Sequence, residues 1–415
     1  MSSASLTGFR DFFPEECAFR ESLFTAWKTA ASTFGFDLID GPPLEPLDLF
    51  TKKSGPEIVS QLYNFQDKGG REVALRPEMT PTIARMIGAR QRDFKKPLKW
   101  FSIPQVFRYE KPQKGRLREH YQWNCDIFGE SGLGAEAELI SLLAHSLKRL
   151  GLTPDDVTIR ISDRLYWQEF FQLHQINEER AQEMLQVLDK IDRTPEDITR
   201  EKLGSHADAV YAALASTDGG PRLRELFDLL HSMGTAPWCR VDLRIVRGLA
   251  YYTGIVFEAH DAQGQLRAIA GGGRYDGLVK TLTGVDIPAL GFGMGDVVIT
   301  ELLKEKGLKP FRESCPQLYL AIGDESVRCD VLALATQLRE TGMRIDYPLS
   351  AEKIGRQLQS AQDRGHTEAL ILDPQWRTSH LATRKHLTDR TECTVRLEWT
   401  ATGCEFKLQP ATSTL

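Results

Sequence analysis

Residues Phe107 to Gly129, FRYEKPQKGRLREHYQWNCDIFG, constrain the fold more than any other stretch of the chain. The first twelve carry five basic side chains, Arg108, Lys111, Lys114, Arg116 and Arg118, against one carboxylate, Glu110. The rest turns apolar and aromatic, so the pattern predicts a strand, a basic loop and a returning strand. On a strand, Arg108 and Glu110 stand two apart and face the same side. There the guanidinium can bind a phosphate while the carboxylate accepts a hydrogen bond from a base amino group. The plainer alternative is a hairpin with a solvated basic tip, as charge runs commonly are.

Regular elements flank this segment. A helix is predicted from about Glu15 to Phe34 with Gly35 as its stop. Phe36 to Pro46 reads as a strand broken at Pro42-Pro43, because proline fixes its own φ and restricts the residue before it. Leu139, Leu143, Leu147 and Leu150 fall on one helical stripe closed by Gly151, and Val157, Ile159 and Ile161 then alternate as a half-buried strand. From about 163 to 236 the chain is rich in Gln, Glu and Leu at helical spacing and poor in motifs. Val241 to Ile245 reads as a strand leading into Arg247-Gly248-Leu249-Ala250-Tyr251-Tyr252-Thr253-Gly254, followed by a second strand from Ile255 to Ala259. After Leu318, strands at Leu318–Ile322, Arg344–Tyr347 and Ala369–Leu372 alternate with helices stopped at Gly342 and Gly365, which predicts an α/β domain with a parallel or mixed sheet.

Composition narrows the class. With 415 residues, 41% of them hydrophobic, the chain can fill two or three full-sized cores. Its apolar runs are far shorter than a membrane span, and its amino terminus lacks a charged region followed by an apolar stretch, so no membrane association and a cytoplasmic location are expected. Seven widely spaced cysteines without a Cys-x-x-Cys argue against a disulfide framework or a zinc site, and no metal-ligating cluster is expected. The net charge of −5 means that a nucleic acid must be met by local basic patches, of which 108–118 is one.

Several of these segments together resemble the histidyl-tRNA synthetases, a family of class IIa aminoacyl-tRNA synthetases. The segment at 107–129 is similar to motif 2, with Lys111 in place of the usual arginine, and Gly8 to Pro14 resembles the amino-terminal signature. Arg247 to Gly254 resembles the histidine signature, with Ala250 replacing an aspartate. Leu75 to Thr80 and Gly271 to Asp276 also match. The resemblance implies an α+β catalytic domain over 1–312, built on a class II antiparallel sheet flanked by helices, with a helical insertion over about 163–236. An α/β domain resembling the anticodon-binding domain follows at 316–415. Pro43 would end motif 1 at the interface of a homodimer.

The function implied is histidine-tRNA ligation: the carboxylate of L-histidine attacks the α-phosphorus of ATP, with Mg²⁺ on the outer phosphates, and the histidyl group then passes to tRNA(His). By the same resemblance Arg108 and Arg247 are catalytic, and Arg108, Glu110, Arg116 and Arg274 bind ATP. Glu78, Thr80, Gln122, Asp126, Arg247, Tyr251 and Tyr252 bind histidine, while Gln113 and Arg118 contact the tRNA acceptor end. Asp126 stands where glutamate is usual, so it would reach the imidazole through water. A lone acidic residue on a strand is otherwise a solvated side chain. No side-chain nucleophile is needed, since such transfers are driven by positioned cations.

Motif 3 departs from the family pattern. In Gly291-Phe292-Gly293-Met294-Gly295-Asp296-Val297-Val298, valine occupies the place of the arginine that binds the γ-phosphate, and Arg116 and Arg274 are the expected replacements, Arg116 first. That gap leaves open a histidine-binding paralogue without catalysis, such as the regulatory subunit of ATP phosphoribosyltransferase, against which the carboxyl-terminal domain argues. A prolyl or threonyl enzyme is a third reading, disfavoured by residues 247–254.

Overall fold

The computed structural model describes residues 5–54, 56–217, 219–246, 252–309, 317–400 and 403–408. The chain forms two compact units, Met1–Arg312 and Glu313–Leu415.

In the first unit, helix α1 (Pro14–Thr33) starts with proline in its first turn and Glu15 and Glu16 near its positive end, and Gly35 leaves it at φ +74°. Strand β1 (Asp37–Leu38) precedes the Pro42-Pro43 break, and helix α2 (Thr80–Arg90) follows a small three-stranded sheet. Then come β2 (Leu98–Ser102), β3 (Gln105–Phe107), β4 (Glu119–Phe128), helix α3 (Gly134–Arg149) and β5 (Val157–Asp163). The predicted helical region is a series of short helices from Arg164–Leu173 to Pro221–Ser232. Beyond it lie β6 (Cys239–Val241), β7 (Ile255–Asp261), β8 (Ala270–Arg274), helix α4 (Asp276–Thr283), β9 (Ala289–Gly295) and helix α5 (Asp296–Glu305).

Among the described residues these nine strands form one sheet in the order β1-β2-β4-β9-β8-β7-β5-β6, with β3 on the far end of β4. Its middle is antiparallel, and the two outer pairs, β1 with β2 and β5 with β6, are parallel. The alternation of β4 determines what each face carries. Trp123, Cys125 and Ile127 join α1 and α3 in one core, where Trp27 and Trp123 stack with ring centroids 5.8 Å apart. Gln122, Asn124 and Asp126 point to the other face, beside a second core of Met79, Ile83, Trp100, Phe128, Tyr275 and Leu278 under α2 and α4. Each large apolar side chain buried this way contributes about 1.5–3 kcal/mol, so a one-residue slip of β4 is strongly disfavoured.

One predicted strand is shorter than expected. Val241 ends β6, and Asp242 to Ile245 turn instead of extending, because the Asp242 carboxylate accepts hydrogen bonds from both the backbone N–H and the guanidinium of Arg244. Such local side-chain bonding competes with the sheet ladder.

The second unit contains β10 (Gln317–Ile322), helix α6 (Arg328–Glu340), β11 (Arg344–Asp346), helix α7 (Ile354–Asp363) and β12 (Glu368–Leu372). β10 pairs in parallel with both β11 and β12, and three further strands, β13 (Leu381–His386), β14 (Glu392–Thr400) and β15 (Gly403–Leu408), extend the sheet antiparallel. The sheet is therefore mixed. No helix among the described residues is long and apolar enough to cross a membrane.

Candidate functional site: a polar cleft on the central sheet

A cleft of about 250 Å³ opens on the face of the sheet that carries Gln122, Asn124 and Asp126. Glu78 lines it from the loop before α2 and Thr80 from the start of α2, Arg108 from the hairpin, Tyr252 and Tyr275 from the turns around β7 and β8, and Glu258 from β7. Six side chains singled out in the sequence are thus brought together: Glu78, Thr80, Arg108, Gln122, Asp126 and Tyr252. Arg247 and Tyr251 lie outside the described residues. A larger cleft, about 580 Å³, lies along Leu214–Thr217 and Arg240–Arg244 and contains none of the candidate site residues. Its one carboxylate, Asp242, is already ion-paired with Arg244 and Arg160, so the smaller cleft, which gathers the candidate residues, is the candidate.

The loop before α2 is anchored by its backbone and by one buried guanidinium. Arg76 donates through its N–H to the Pro43 carbonyl (2.9 Å), through Nε to Gln105 O (3.0 Å) and through Nη1 to Gly41 O (2.6 Å), while its own carbonyl accepts from Phe107 N–H (2.9 Å). Arg108 Nε donates to Pro77 O at 3.0 Å. The arginine that faces the cleft is therefore fastened to the loop that presents Glu78, which fixes one relative to the other.

Asp126 is the most perturbed group in the cleft. It is 2% exposed; Oδ1 accepts the Tyr275 hydroxyl proton donor, and Oδ2 is buried with no hydrogen-bond partner among the described residues. Burial raises its pKa to about 7, against the opposing effect of the Tyr275 hydrogen bond. The backbone makes room for this carboxylate. A Cβ at Gly291 would lie 2.0 Å from Oδ1, so only glycine fits beneath it, and a Cβ at Gly293 would press on Gln122 at 2.9 Å. A buried acceptor with one open lone pair is suited to an N–H donor of a small polar ligand.

The basic segment departs from its expected geometry. β3 ends at Phe107, and although Arg108 N–H still donates to Arg118 O (2.8 Å), Glu110 N–H turns back onto Arg108 O (2.8 Å). Arg108 and Glu110 consequently do not share a strand face. Glu110 instead ion-pairs with Arg116 Nε at 2.6 Å across a tight tip in which Gly115 takes φ +72°. Arg118 is held within the hairpin, its Nε donating to Glu110 O (3.1 Å) and its guanidinium stacking 4.6 Å above Tyr109. Of the two proposed acceptor-end residues, only Gln113 stands exposed at the tip.

Arg274, expected to bind ATP, is already engaged by groups of the protein. Its guanidinium is 3% exposed and binds Glu136 through two hydrogen bonds of 2.7 Å, with further bonds to Glu130 O (2.9 Å) and Asp276 (3.2 Å). It does not line the cleft. Val298 packs into the main core at the start of α5, as its apolar side chain demands.

Other side chains, not singled out in the sequence, also shape the site. Tyr275 reaches Asp126 across 149 residues of chain, and Glu258, hydrogen-bonded to His260 Nε2 at 3.0 Å, faces the cleft. Arg10 ties the amino-terminal segment to Glu119 (2.8 Å) and Asp296 (2.9 Å), and Asp296 also accepts the Tyr121 N–H (2.9 Å). His120 is held neutral, its pKa depressed to about 3 by burial and then by the charges of Arg108, Arg10 and Arg116. Except for Glu258 and His260, their signal in the sequence is a place inside a recognised segment, which does not by itself assign a role.

Comparison with known proteins agrees with this geometry. Residues 8–296 match the family model described as histidyl-tRNA synthetase, and residues 317–404 match an anticodon binding domain. The chain is 44% identical to the histidine–tRNA ligase of Opitutus terrae, covering 95% of this chain and 96% of the relative. It is 42% identical to the chloroplastic/mitochondrial histidine–tRNA ligase of Arabidopsis thaliana, covering 84% and 75%. In fold it is similar to the histidyl-tRNA synthetase from Nostoc sp. PCC 7120, with a TM-score of 0.81 at 21% identity over 95% of this chain and 97% of that one. A second fold match, with a TM-score of 0.70 at 22% identity over 89% and 98%, is titled an ATP phosphoribosyltransferase regulatory subunit/histidyl-tRNA synthetase from Bacillus halodurans C. With the catalytic sheet, the cleft and the amino-terminal segment all inside the matched range, the chain belongs to the histidyl-tRNA synthetase family.

Proposed function

We propose that this chain is a histidine-tRNA ligase, which activates L-histidine with ATP and transfers it to the 3′ end of tRNA(His). The observation that carries the reading is the convergence of a buried, half-satisfied Asp126, Glu78 and Arg108 in one cleft of a synthetase-family sheet. Asp126 Oδ2 accepts an imidazole N–H, Glu78 takes the α-ammonium, and Arg108 takes the α-phosphate. In activation a histidine carboxylate oxygen bonds to the α-phosphorus, the bond from phosphorus to the bridging oxygen breaks, and its electron pair leaves with pyrophosphate. Positioned cations stabilise that charge as it forms. Arg247 and Tyr251 complete the histidine side in this reading, and Gln113 meets the acceptor end.

Magnesium would be held through Glu258, a cleft carboxylate whose Oε2 is hydrogen-bonded to His260 and whose other oxygen makes no hydrogen bond with a described residue. Mg²⁺ is commonly held by one or two carboxylates together with substrate phosphates and water. When bound, it neutralises the outer phosphates. Among the described residues there is no group of three or more His, Cys, Asp or Glu side chains that could hold a metal.

The domain organisation proposed is a catalytic region over 1–312, with the insertion at about 163–236, and an anticodon-binding-like region over 316–415. A homodimer is proposed through the motif 1 stretch, where Leu38 is 60% exposed and Leu44 38%, leaving apolar surface to cover. The location proposed is the cytoplasm. A regulatory, non-catalytic role is the less favoured reading, since the chain carries an anticodon binding domain match. The direct test is exchange of labelled pyrophosphate into ATP: the purified chain is expected to catalyse it only when L-histidine is present. Histidine binding without exchange would sink the ligase reading in favour of the regulatory one.

Asp126 gives this reading a pH signature. Its folded pKa of about 7 lies above its ordinary value of 3.8. Between those values the folded chain keeps a proton that the unfolded chain has released, so this group's contribution to stability falls as pH rises from 3.8 to about 7. Ligand binding runs the other way, because the ionised carboxylate is the better acceptor. The KM for histidine in exchange is therefore expected to fall as pH rises through about 7. Asp126→Asn should raise that KM about tenfold or more and keep only the titration of the ligand itself. Superimposable pH profiles for the two enzymes would remove Asp126 from the site.

A further inference from the structure

The place left by the motif 3 arginine is faced by another cation. Gly115, at the tip of the basic hairpin, lies between two side chains: a Cβ there would stand 3.4 Å from Arg267 Cδ and 3.5 Å from Val298 Cγ2. Arg267, just before β8, and Val298, at the start of α5, thus meet across the same backbone atoms. Arg267 is exposed and has no ion pair or hydrogen bond with any described residue. Partial desolvation and then the neighbouring charge of Arg116 lower its pKa, with Glu110 acting the other way and Arg193 adding to the repulsion.

Glu110 is already paired with Arg116, so Arg267 has no carboxylate of its own to pair with among the described residues. Toward the cleft the cationic field continues: Arg116 and Arg108 both act on His120, which stays neutral between them. Arginines held together against mutual repulsion, next to the cleft where Arg108 sits, describe a seat for a multiply charged anion. A diphosphate has the charge and the separate oxygens for two guanidinium forks.

We propose that Arg267 is a catalytic residue that grips the outer phosphates of ATP, and the departing pyrophosphate, from across Gly115, in place of the arginine that Val298 replaces. This rests on the ligase reading for its reaction, but the site itself is defined by polyphosphate binding. Arg267 is the third cation of a line that runs from Arg108 through Arg116, and its removal leaves the adenosine and α-phosphate contacts untouched.

The test compares ATP with AMP. Arg267→Ala, a change at an exposed side chain, is expected to weaken ATP binding measured by titration calorimetry about tenfold or more while leaving AMP binding unchanged. In exchange, the KM for ATP and for pyrophosphate should rise by a similar factor, and Arg267→Lys should recover part of the loss. Equal ATP affinity in wild type and Arg267→Ala, or equal loss of ATP and AMP, would overturn the assignment. So would a rise confined to the KM for tRNA, which would place the arginine on the nucleic acid backbone. If the wild type shows no exchange, the ligase reading fails, yet the ATP-against-AMP comparison still decides the role of Arg267.

Discussion

Arg108→Ala is expected to lower histidine-dependent pyrophosphate exchange by roughly 10²–10³-fold, the effect of deleting one positioned donor to transition-state charge. The loss should fall mainly on kcat, because the charge it stabilises grows during the reaction. A smaller rise in the KM for histidine should accompany it, since Arg108 Nε also holds the Pro77 carbonyl and through it the loop that presents Glu78. Arg108→Lys keeps the charge but not the planar fork, and should recover only part of the rate. Rapid-quench and steady-state exchange measurements on the three proteins check this. An alanine enzyme within about threefold of wild type would show that phosphate is gripped elsewhere.

The second large effect is on stability. Arg274→Met is expected to destabilise the first unit by about 3–5 kcal/mol, because it leaves Glu136, 0% exposed, as an uncompensated buried carboxylate. Arg222 stands 3.7 Å from the same carboxylate and also pairs with Asp163 at 3.1 Å, so the loss has a partial replacement within reach but at a longer distance. Replacing both partners, Arg274→Met with Glu136→Leu, should cost less than the sum of the single changes, since no buried charge then remains. Urea unfolding followed in the first unit measures all three. In the folded Arg274→Met protein the KM for ATP should be near that of wild type, whereas a selective rise would return Arg274 to the ATP site.

These two arginines show where a reading of the chain reaches its limit. Both sit in recognised segments, and both were expected to bind ATP. Arg108 lines the cleft because the β3–β4 hairpin is a local structure whose partner strand is only a loop away. Arg274 is fixed by Glu136, 138 residues earlier in the chain, and no local pattern names that partner. The same holds for Asp126. Its place on β4 follows from alternation, but its raised pKa comes from burial by distant parts of the chain, Gly291 of β9 among them, against the lowering effect of the Tyr275 hydrogen bond. Glu110 shows a subtler miss: two residues on a strand share a face, but this strand stops at Phe107, before both of them, and the freed carboxylate turns to Arg116.

What the sequence determined by itself is therefore the set of elements and the order of chemical groups along them. Helical and strand periodicities, glycine stops and the alternation of β4 are properties of neighbours in the chain, and they place the polar and apolar faces without reference to anything distant. The tertiary structure alone decided which charges neutralise one another and which remain for a ligand. Arg274 pairs with Glu136 and Arg116 with Glu110, while Arg267, across Gly115 from Val298, makes no ion pair with any described residue. The physical reason is that an ion pair or a buried acceptor depends on distances of a few ångströms between residues brought together by sheet closure, and on the solvent that closure excludes.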